Sequence, residues 1–272
     1  LFGSELKTIL AHPGTQRNLD PLALDEFFHY GTVPGTRCVF KGIEKLGPGQ
    51  SLTLDVGTWT ARRDTYWRLR FDVDQRLTVE DWEHAVYDKL RETVRIHMVA
   101  DVPVGSFLSG GMDSSVVTGL AFESARVPLQ TFSIGFKESR FNELPYARQV
   151  AEHFGTEHVE EVISADTAWL LPELMKYYDE PFADSSAIPT YLVSQLAAKH
   201  VKVVLSGDGG DEALGGYSRY QHDLKEAALR SRIPEPVREL VLGTLAAFWP
   251  KADWLPRPLR LKTLFTNLSL DA

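Results

Sequence analysis

Apolar residues recur every fourth position at Trp82, Val86, Leu90 and Val94, which marks one face of an amphipathic helix. Thr78 followed by Asp81 places an N-cap and an acidic first turn just ahead of it. Beyond this helix the pattern alternates. An apolar run at 102–108 ends in Ser109-Gly110-Gly111, and a helix is expected from about Ser114. A strand is expected at Gln130–Phe136, a helix at 145–154 stopped by Gly155, and a strand at 158–163. Helices at 167–178 and 188–199 and a strongly apolar strand at 201–205 complete the series. Repeated βα units with β-branched strands predict an α/β fold, a parallel sheet with helices on both faces. Right-handed crossovers bring the strand carboxyl ends to one edge, where ligands bind in such sheets.

The flanks read differently. Residues 1–70 are rich in turn signals, among them Gly31, Pro34-Gly35 and Gly47-Pro48-Gly49. Alternating runs at 51–54 and 58–62 about Asp55-Val56-Gly57 predict a hairpin. The stretch 36–40 around Cys38 reads as a buried strand holding a structural thiol. From about Leu229 apolar helical patterns are broken by Pro234, Pro236, Pro250, Pro256 and Pro258. The boundaries expected are therefore 1–70 for a small β-rich part and 71–272 for the α/β domain.

Composition narrows the classes. The 272 residues are 43% hydrophobic and 24% charged, as in ordinary soluble proteins. A net charge of -8 without a basic stripe argues against nucleic acid as a partner. One cysteine excludes an intramolecular disulfide, and no Cys/His spacing suggests zinc. No apolar run approaches the roughly 20 residues of a membrane span, so no membrane partner is expected and a cytoplasmic location is the default.

Two glycine-rich loops carry the chemistry. In Ser109-Gly110-Gly111-Met112-Asp113-Ser114-Ser115 the glycines let backbone amides approach an anion. Three serines add hydroxyl donors, and the following helix adds its positive end. There is no Walker A lysine. A carboxylate at Asp113 beside phosphate calls for a cation such as Mg²⁺ between them. The second loop, Ser206-Gly207-Asp208-Gly209-Gly210-Asp211-Glu212, packs three carboxylates into five residues, which again favours magnesium brought in with a nucleotide. Alone, the first is an ordinary turn and the second an ordinary solvated helix cap. Together, at strand ends of one parallel sheet, they argue for a nucleotide site. The histidines, His158 among them, show no nucleophile–base arrangement, and Trp82 and Tyr177-Tyr178 read as helix packing.

Residues 109–115 resemble the pyrophosphate loop of the ATP-pyrophosphatase (adenine nucleotide alpha-hydrolase-like) superfamily. Residues 205–212 with Gly215-Gly216-Tyr217 resemble the second signature of glutamine-hydrolysing asparagine synthetases. Similar segments of that family fall at Phe132-Ser133-Ile134-Gly135-Phe136, Tyr146-Ala147, Gly155-Thr156-Glu157-His158 and 179–186. Residues 1–70, with Ser4-Glu5-Leu6-Lys7 and Gly47-Pro48-Gly49, resemble the end of its N-terminal glutaminase domain. The resemblance implies ATP and Mg²⁺ as cofactors. Ser109, Gly110, Gly111, Ser114 and Ser115 would hold the β- and γ-phosphates, and Asp113 and Asp211 the metal. Leu108, Ile134, Ser206 and Gly207 match positions that contact adenine and ribose. Asp208 stands where many members have Glu, a residue tied to forming the acyl-adenylate and deprotonating ammonia. Asp184, Ser185 and Ser186 would face the substrate or cap a helix.

The implied reaction joins ammonia to the side-chain carboxylate of aspartate, giving asparagine, AMP and pyrophosphate. Two family features find no match, an N-terminal catalytic cysteine and a lysine with a Leu-Arg pair near the C-terminus, since Cys38 and Lys262 sit in other contexts. A chain shortened at both ends, unable to hydrolyse glutamine, is the expectation. The expected partners are small molecules, namely ATP, aspartate or another carboxylate, and ammonia or glutamine, and a homodimer is the assembly considered. Two alternatives compete: an amidotransferase for another carboxylate, such as a sugar acid, a peptide or a β-lactam precursor, and a non-catalytic ATP-binding module. A dehydrogenase is disfavoured by the lack of Gly-x-Gly-x-x-Gly with a following acidic residue.

Overall fold

The computed structural model describes residues 1–72, 74, 76–137, 142–163, 167–251, 254, 256 and 260–269. It divides into two compact units, Leu1–Ser206 and Gly207–Ala272.

The first unit opens with α1 (Leu6–Leu10) and α2 (Pro21–Tyr30). Asp20 caps α2 by accepting from the Leu22 amide at 3.1 Å, Pro21 fits the first turn, and Gly31 ends the helix at φ 74°. Ala23 buries against Val33, Cys38 and Val39. The predicted strand at 36–40 is not formed. Only isolated bridges, Leu19 to Phe40 and Arg37 to Glu44, occur there. Cys38 is nevertheless buried, and burial pushes its thiol pKa up. The hairpin pairs β1 (Gln50–Asp55) with β2 (Thr60–Thr65) in antiparallel register, Asp55 opposite Thr60. Its connection is one residue longer than predicted, running from Val56 to Trp59. Asp55 Oδ1 accepts from the amides of Gly57 and Thr58, both at 2.8 Å, and these bonds lower its pKa.

α3 (Val79–His97) begins as its sequence dictates. Asp81 N–H donates to Thr78 Oγ1 at 3.2 Å while the Thr78 amide donates back to Asp81 Oδ2 at 2.8 Å. Its apolar face deepens along the helix, from Trp82, 44% exposed, to Val94, buried. The sheet follows as β3 (Val104–Phe107), β4 (Gln130–Phe136), β5 (Glu157–Ile163) and β6 (Val203–Leu205), interleaved with α4 (Met112–Ser124), α5 (Leu144–Phe154), α6 (Leu171–Leu174) and α7 (Ala187–Ala197). All pairings are parallel and the spatial order is β5-β4-β3-β6.

Strand alternation sorts the faces. Ser106 donates to or accepts from Thr118 of α4 at 3.0 Å, and a side chain at Gly135 would strike Leu144 of α5, so α4 and α5 cover one face. Phe132, out of phase with both, packs on Leu196 and Ala197 of α7 together with Phe107, which places α7 on the other. Helices on both faces, as expected, leave the strand carboxyl ends as the open edge. β3 and β6 are shorter than their apolar runs suggested. The predicted helix at 167–178 is instead a 3₁₀ turn, Ala168–Leu170, and the four residues of α6. Pro172 offers no N–H for a continuous helix and tolerates only a first-turn position, where it sits. Tyr177 and Tyr178 lie beyond the four residues of α6, packed on Tyr191 and Phe182.

The second unit is helical: α8 (Gly210–Leu214), α9 (Ser218–Arg230), α10 (Glu235–Val237), a π-helical turn (Arg238–Leu242), α11 (Gly243–Phe248) and α12 (Lys262–Ser269). Asn267 of α12 donates to Glu226 of α9 at 2.9 Å, and Trp249 meets Phe265 edge-on at 5.3 Å. Among the expected proline breaks, Pro258 lies outside the described residues. Among the described residues no helix is long and apolar enough to cross a membrane.

Candidate functional site

The loop after β3 is built from beneath by the sheet. Leu108, 1% exposed, packs on Ala147 and Ala151 of α5. Its amide donates to Phe132 O at 2.9 Å, and its carbonyl accepts from Ser133 Oγ. Leu108 thus clamps the strand end. Gly110 then turns the chain at φ 83°, and an added Cβ there would lie 2.6 Å from Tyr146 Cβ and Ala147 N. Only glycine allows the loop to lie this close to the start of α5.

Hydroxyls hold the turn in shape. Ser109 N–H donates to Ser114 Oγ at 3.2 Å, and Gly111 N–H donates to Ser109 Oγ at 3.2 Å. Ser109 Oγ lies 2.9 Å from Ser114 Oγ, which in turn donates to Gly111 O at 3.2 Å. One assignment satisfies every member: Ser109 O–H points at Ser114, and Ser114 O–H at the Gly111 carbonyl. Ser115 Oγ donates to the same carbonyl at 2.7 Å. Ser114 is buried, whereas Ser109, Gly111 and Met112 are exposed. The result is a stiff, open turn at the head of a 13-residue helix, whose first-turn N–H groups lack intrahelical partners. Such an end attracts anions. Asp113, half-buried in the first turn, adds the opposite charge.

Ile134 is half-buried near the carboxyl end of β4, on the same strand face as Phe132. Ser206 is exposed and follows Leu205, which pairs with Ser106 beside the first loop's strand. The first unit thus brings Leu108, Ser109, Gly110, Gly111, Asp113, Ser114, Ser115, Ile134 and Ser206 to one sheet edge.

Gly207, Asp208 and Asp211 belong to the second unit. Gly209 takes φ 90° and Gly215 φ 68°, bracketing the five residues of α8. Asp208 is exposed and Asp211 half-buried. A side chain at Gly216 would land on the Asp211 carboxylate, so glycine is needed there to leave that carboxylate room. Glu212 accepts from Tyr217 Oη at 2.8 Å, and this bond pushes the Tyr217 pKa up to about 12.

Sequence reasoning missed several tertiary contacts. The buried Ser106–Thr118 hydroxyl pair underpins the first loop, and only strand–helix proximity reveals it. Asp179 and Glu180 were noted as part of a family-like segment, but their lysine partners lie far back in the chain. Asp184 Oδ1 accepts from the Ser186 amide at 2.8 Å in the turn ahead of α7, whose N-cap Ser186 makes no side-chain cap bond, and Ser185 and Ser186 are exposed. His158 lies 2.9 Å from Thr131 Oγ1, and burial holds its pKa below the usual histidine value. That is structural packing.

Mg²⁺ is usually held by one or two carboxylates plus substrate phosphates. A lone Asp113 beside a glycine turn that a Cβ would obstruct fits that role. Among the described residues no group of three or more His, Cys, Asp or Glu could hold a metal by itself.

The asparagine synthase family model matches residues 85–271, and a glutamine amidotransferase domain model matches residues 1–67. A candidate glutamine-hydrolyzing asparagine synthetase of Methanocaldococcus jannaschii is 38% identical over 245 residues, 88% of this chain and 46% of the relative. Asparagine synthetase (glutamine-hydrolyzing) 1 of Bacillus subtilis is 34% identical over 268 residues, covering 97% of this chain and 40% of the relative. Asparagine synthetase (glutamine-hydrolyzing) 3 of the same organism is 35% identical over 235 residues, 80% and 38% of the two chains. The chain spans about half the length of the curated relatives it matches.

Proposed function

The chain belongs to the asparagine synthase family, and we propose on that premise that it carries the ATP-dependent half of an amide-forming ligase. In this reading residues 1–70 are the end of an amidotransferase domain and 71–272 the synthetase domain. The side-chain carboxylate of aspartate attacks the α-phosphorus of ATP, and pyrophosphate leaves. Ammonia then attacks the acyl-adenylate, giving asparagine and AMP.

The observation that carries the proposal is the serine-braced turn ahead of α4. The turn is braced by its own hydrogen bonds before the reaction, so charge gathering on the departing pyrophosphate meets the first-turn N–H groups and positive end of α4 already held in place. Ser109, Gly110, Gly111, Ser114 and Ser115 are assigned to the β- and γ-phosphates. Leu108, Ile134, Ser206 and Gly207 are assigned to the nucleoside. Asp113 is assigned to Mg²⁺, which would neutralise phosphate charge, and Asp211 takes a metal role on the family resemblance alone. Asp208 is assigned to the acid–base step at the amide, one methylene shorter than the Glu common in the family.

The test is exchange of labelled pyrophosphate into ATP, with aspartate and a panel of other carboxylates. Exchange stimulated by aspartate alone supports the reading. Stimulation by a different carboxylate would redirect the substrate, and ATP binding with no exchange would leave a non-catalytic nucleotide module.

A further inference from the structure

The acidic pair Asp179-Glu180 is bonded to the N-terminal stretch of the chain. Glu180 Oε1 accepts from the Val39 amide at 2.7 Å, and Oε2 pairs with Lys45 Nζ at 2.8 Å. Lys45 Nζ also donates to Val33 O at 2.6 Å. Asp179 pairs with Lys7 Nζ at 3.1 Å and accepts from the Lys7 amide at 3.3 Å. The Ala183 amide donates to Gly31 O at 2.8 Å. Glu180 is largely withdrawn from water, its side chain 19% exposed, so its two oxygens are satisfied where replacement groups are scarce. All the partners lie in the stretch matched by the amidotransferase model, while 179–183 lie in the stretch matched by the asparagine synthase model.

What these bonds hold is short and otherwise exposed. Phe182 through Ser186 lie exposed, and the chain then enters α7. α7 packs on Phe132 and feeds β6 after a brief turn, so it must run back along the sheet. It therefore begins at the strand carboxyl edge, the edge that bears the first loop. The exposed segment is pinned at one end by α7 and at the other by Glu180, Asp179 and Ala183.

We infer that Glu180 is a positioning residue: it fastens the segment 182–186 to the amidotransferase-like part, and so sets the acceptor-carboxylate side of the site. The inference rests on the proposed ligase reading. It makes the N-terminal stretch a structural component of the synthetase site, independent of any supply of ammonia. A merely stabilising contact would lower melting temperature and leave substrate constants alone. A positioning contact changes the KM for the carboxylate while the KM for ATP stays put, because the phosphate loop rests on β3, α4 and α5 instead.

The experiment compares the 272-residue chain with Glu180→Ala, Glu180→Gln and Lys45→Met. Two readouts are used, amide hydrogen exchange at 183–187 and pyrophosphate exchange against aspartate and ATP concentration. Expected are faster amide exchange in that segment and a carboxylate KM raised about tenfold to a hundredfold, with the ATP KM within about twofold. The gain in Glu180→Gln should be smaller, since an amide oxygen can still accept from Val39. Unchanged amide exchange in Glu180→Ala would overturn the anchor. Faster amide exchange with an unchanged carboxylate KM would overturn the positioning role. A wild-type chain with no carboxylate-dependent exchange would overturn the ligase reading and the positioning role with it, while amide exchange still decides whether Glu180 is the anchor.

Discussion

The two glycine-rich loops are made in different ways. The loop at 109–115 is shaped by what packs beneath and beside it: Leu108 on α5, Gly110 against Tyr146 and Ala147, and Ser114 closed inside a ring of hydroxyls. The loop at 207–217 is shaped by its own chain, through left-handed glycines at 209 and 215 and a local Glu212–Tyr217 bond. An added Cβ at Gly209 would meet nothing within 4 Å. A stiff turn suits preformed donors for a charge that appears during reaction, whereas a locally determined loop can change side chains with little cost to the fold.

Replacing matched residues tests this contrast most sharply. Gly110→Ala combines a left-handed backbone with a clash against α5, so a loss of about 2–4 kcal/mol is expected in denaturant unfolding. Gly209→Ala has the backbone cost alone, about 1–2 kcal/mol. Equal losses would break the comparison.

Next in size is ligand binding. At Mg-ATP 100 times its dissociation constant the wild-type chain should gain about 2.7 kcal/mol. Asp113→Ala should lose most of that gain while its melting temperature without ligand stays close to wild type. A full gain in the variant would remove Asp113 from the metal role.

Ser114→Ala removes the buried hydroxyl that accepts from the Ser109 amide and donates to the Gly111 carbonyl, and should cost about 1 kcal/mol. Ser115→Ala, at the half-exposed edge of the same turn, should cost less, and the ratio of the two measures how far the hydroxyl ring is closed.

The smallest effect concerns the second loop. Tyr217 should titrate near 12, read by tyrosinate absorbance, and fall toward the ordinary 10 in Glu212→Gln. Since the folded-state pKa is the raised one, the small stability contribution is whole below about pH 10 and fades as pH climbs through 10 to 12. An unchanged midpoint in the variant would mean that the Glu212 bond is not what holds the Tyr217 proton.

Much of this was legible beforehand. The strand Gln130–Phe136 has the predicted bounds because its alternation and flanks are unambiguous, and the Thr78–Asp81 box starts α3 where the residues say. Loop residues 109–115 stand out in the sequence only together with the second glycine-rich loop, because a Ser-Gly-Gly turn alone is an ordinary one. The helix expected at 167–178 failed at Pro172, and the strand at 36–40 failed because Cys38 is buried by α2 rather than by a sheet.

The sequence by itself determined the period of each element, the helix starts and the glycines that must turn left-handed, since all of these depend on neighbours within a few residues. Tertiary structure alone decided that Gly110 is hemmed in by α5, that Ser106 meets Thr118, and that Glu180 reaches Val39 and Lys45. Those contacts join residues as far as 141 positions apart, and no local propensity encodes which distant partner will satisfy a carboxylate once water has been removed.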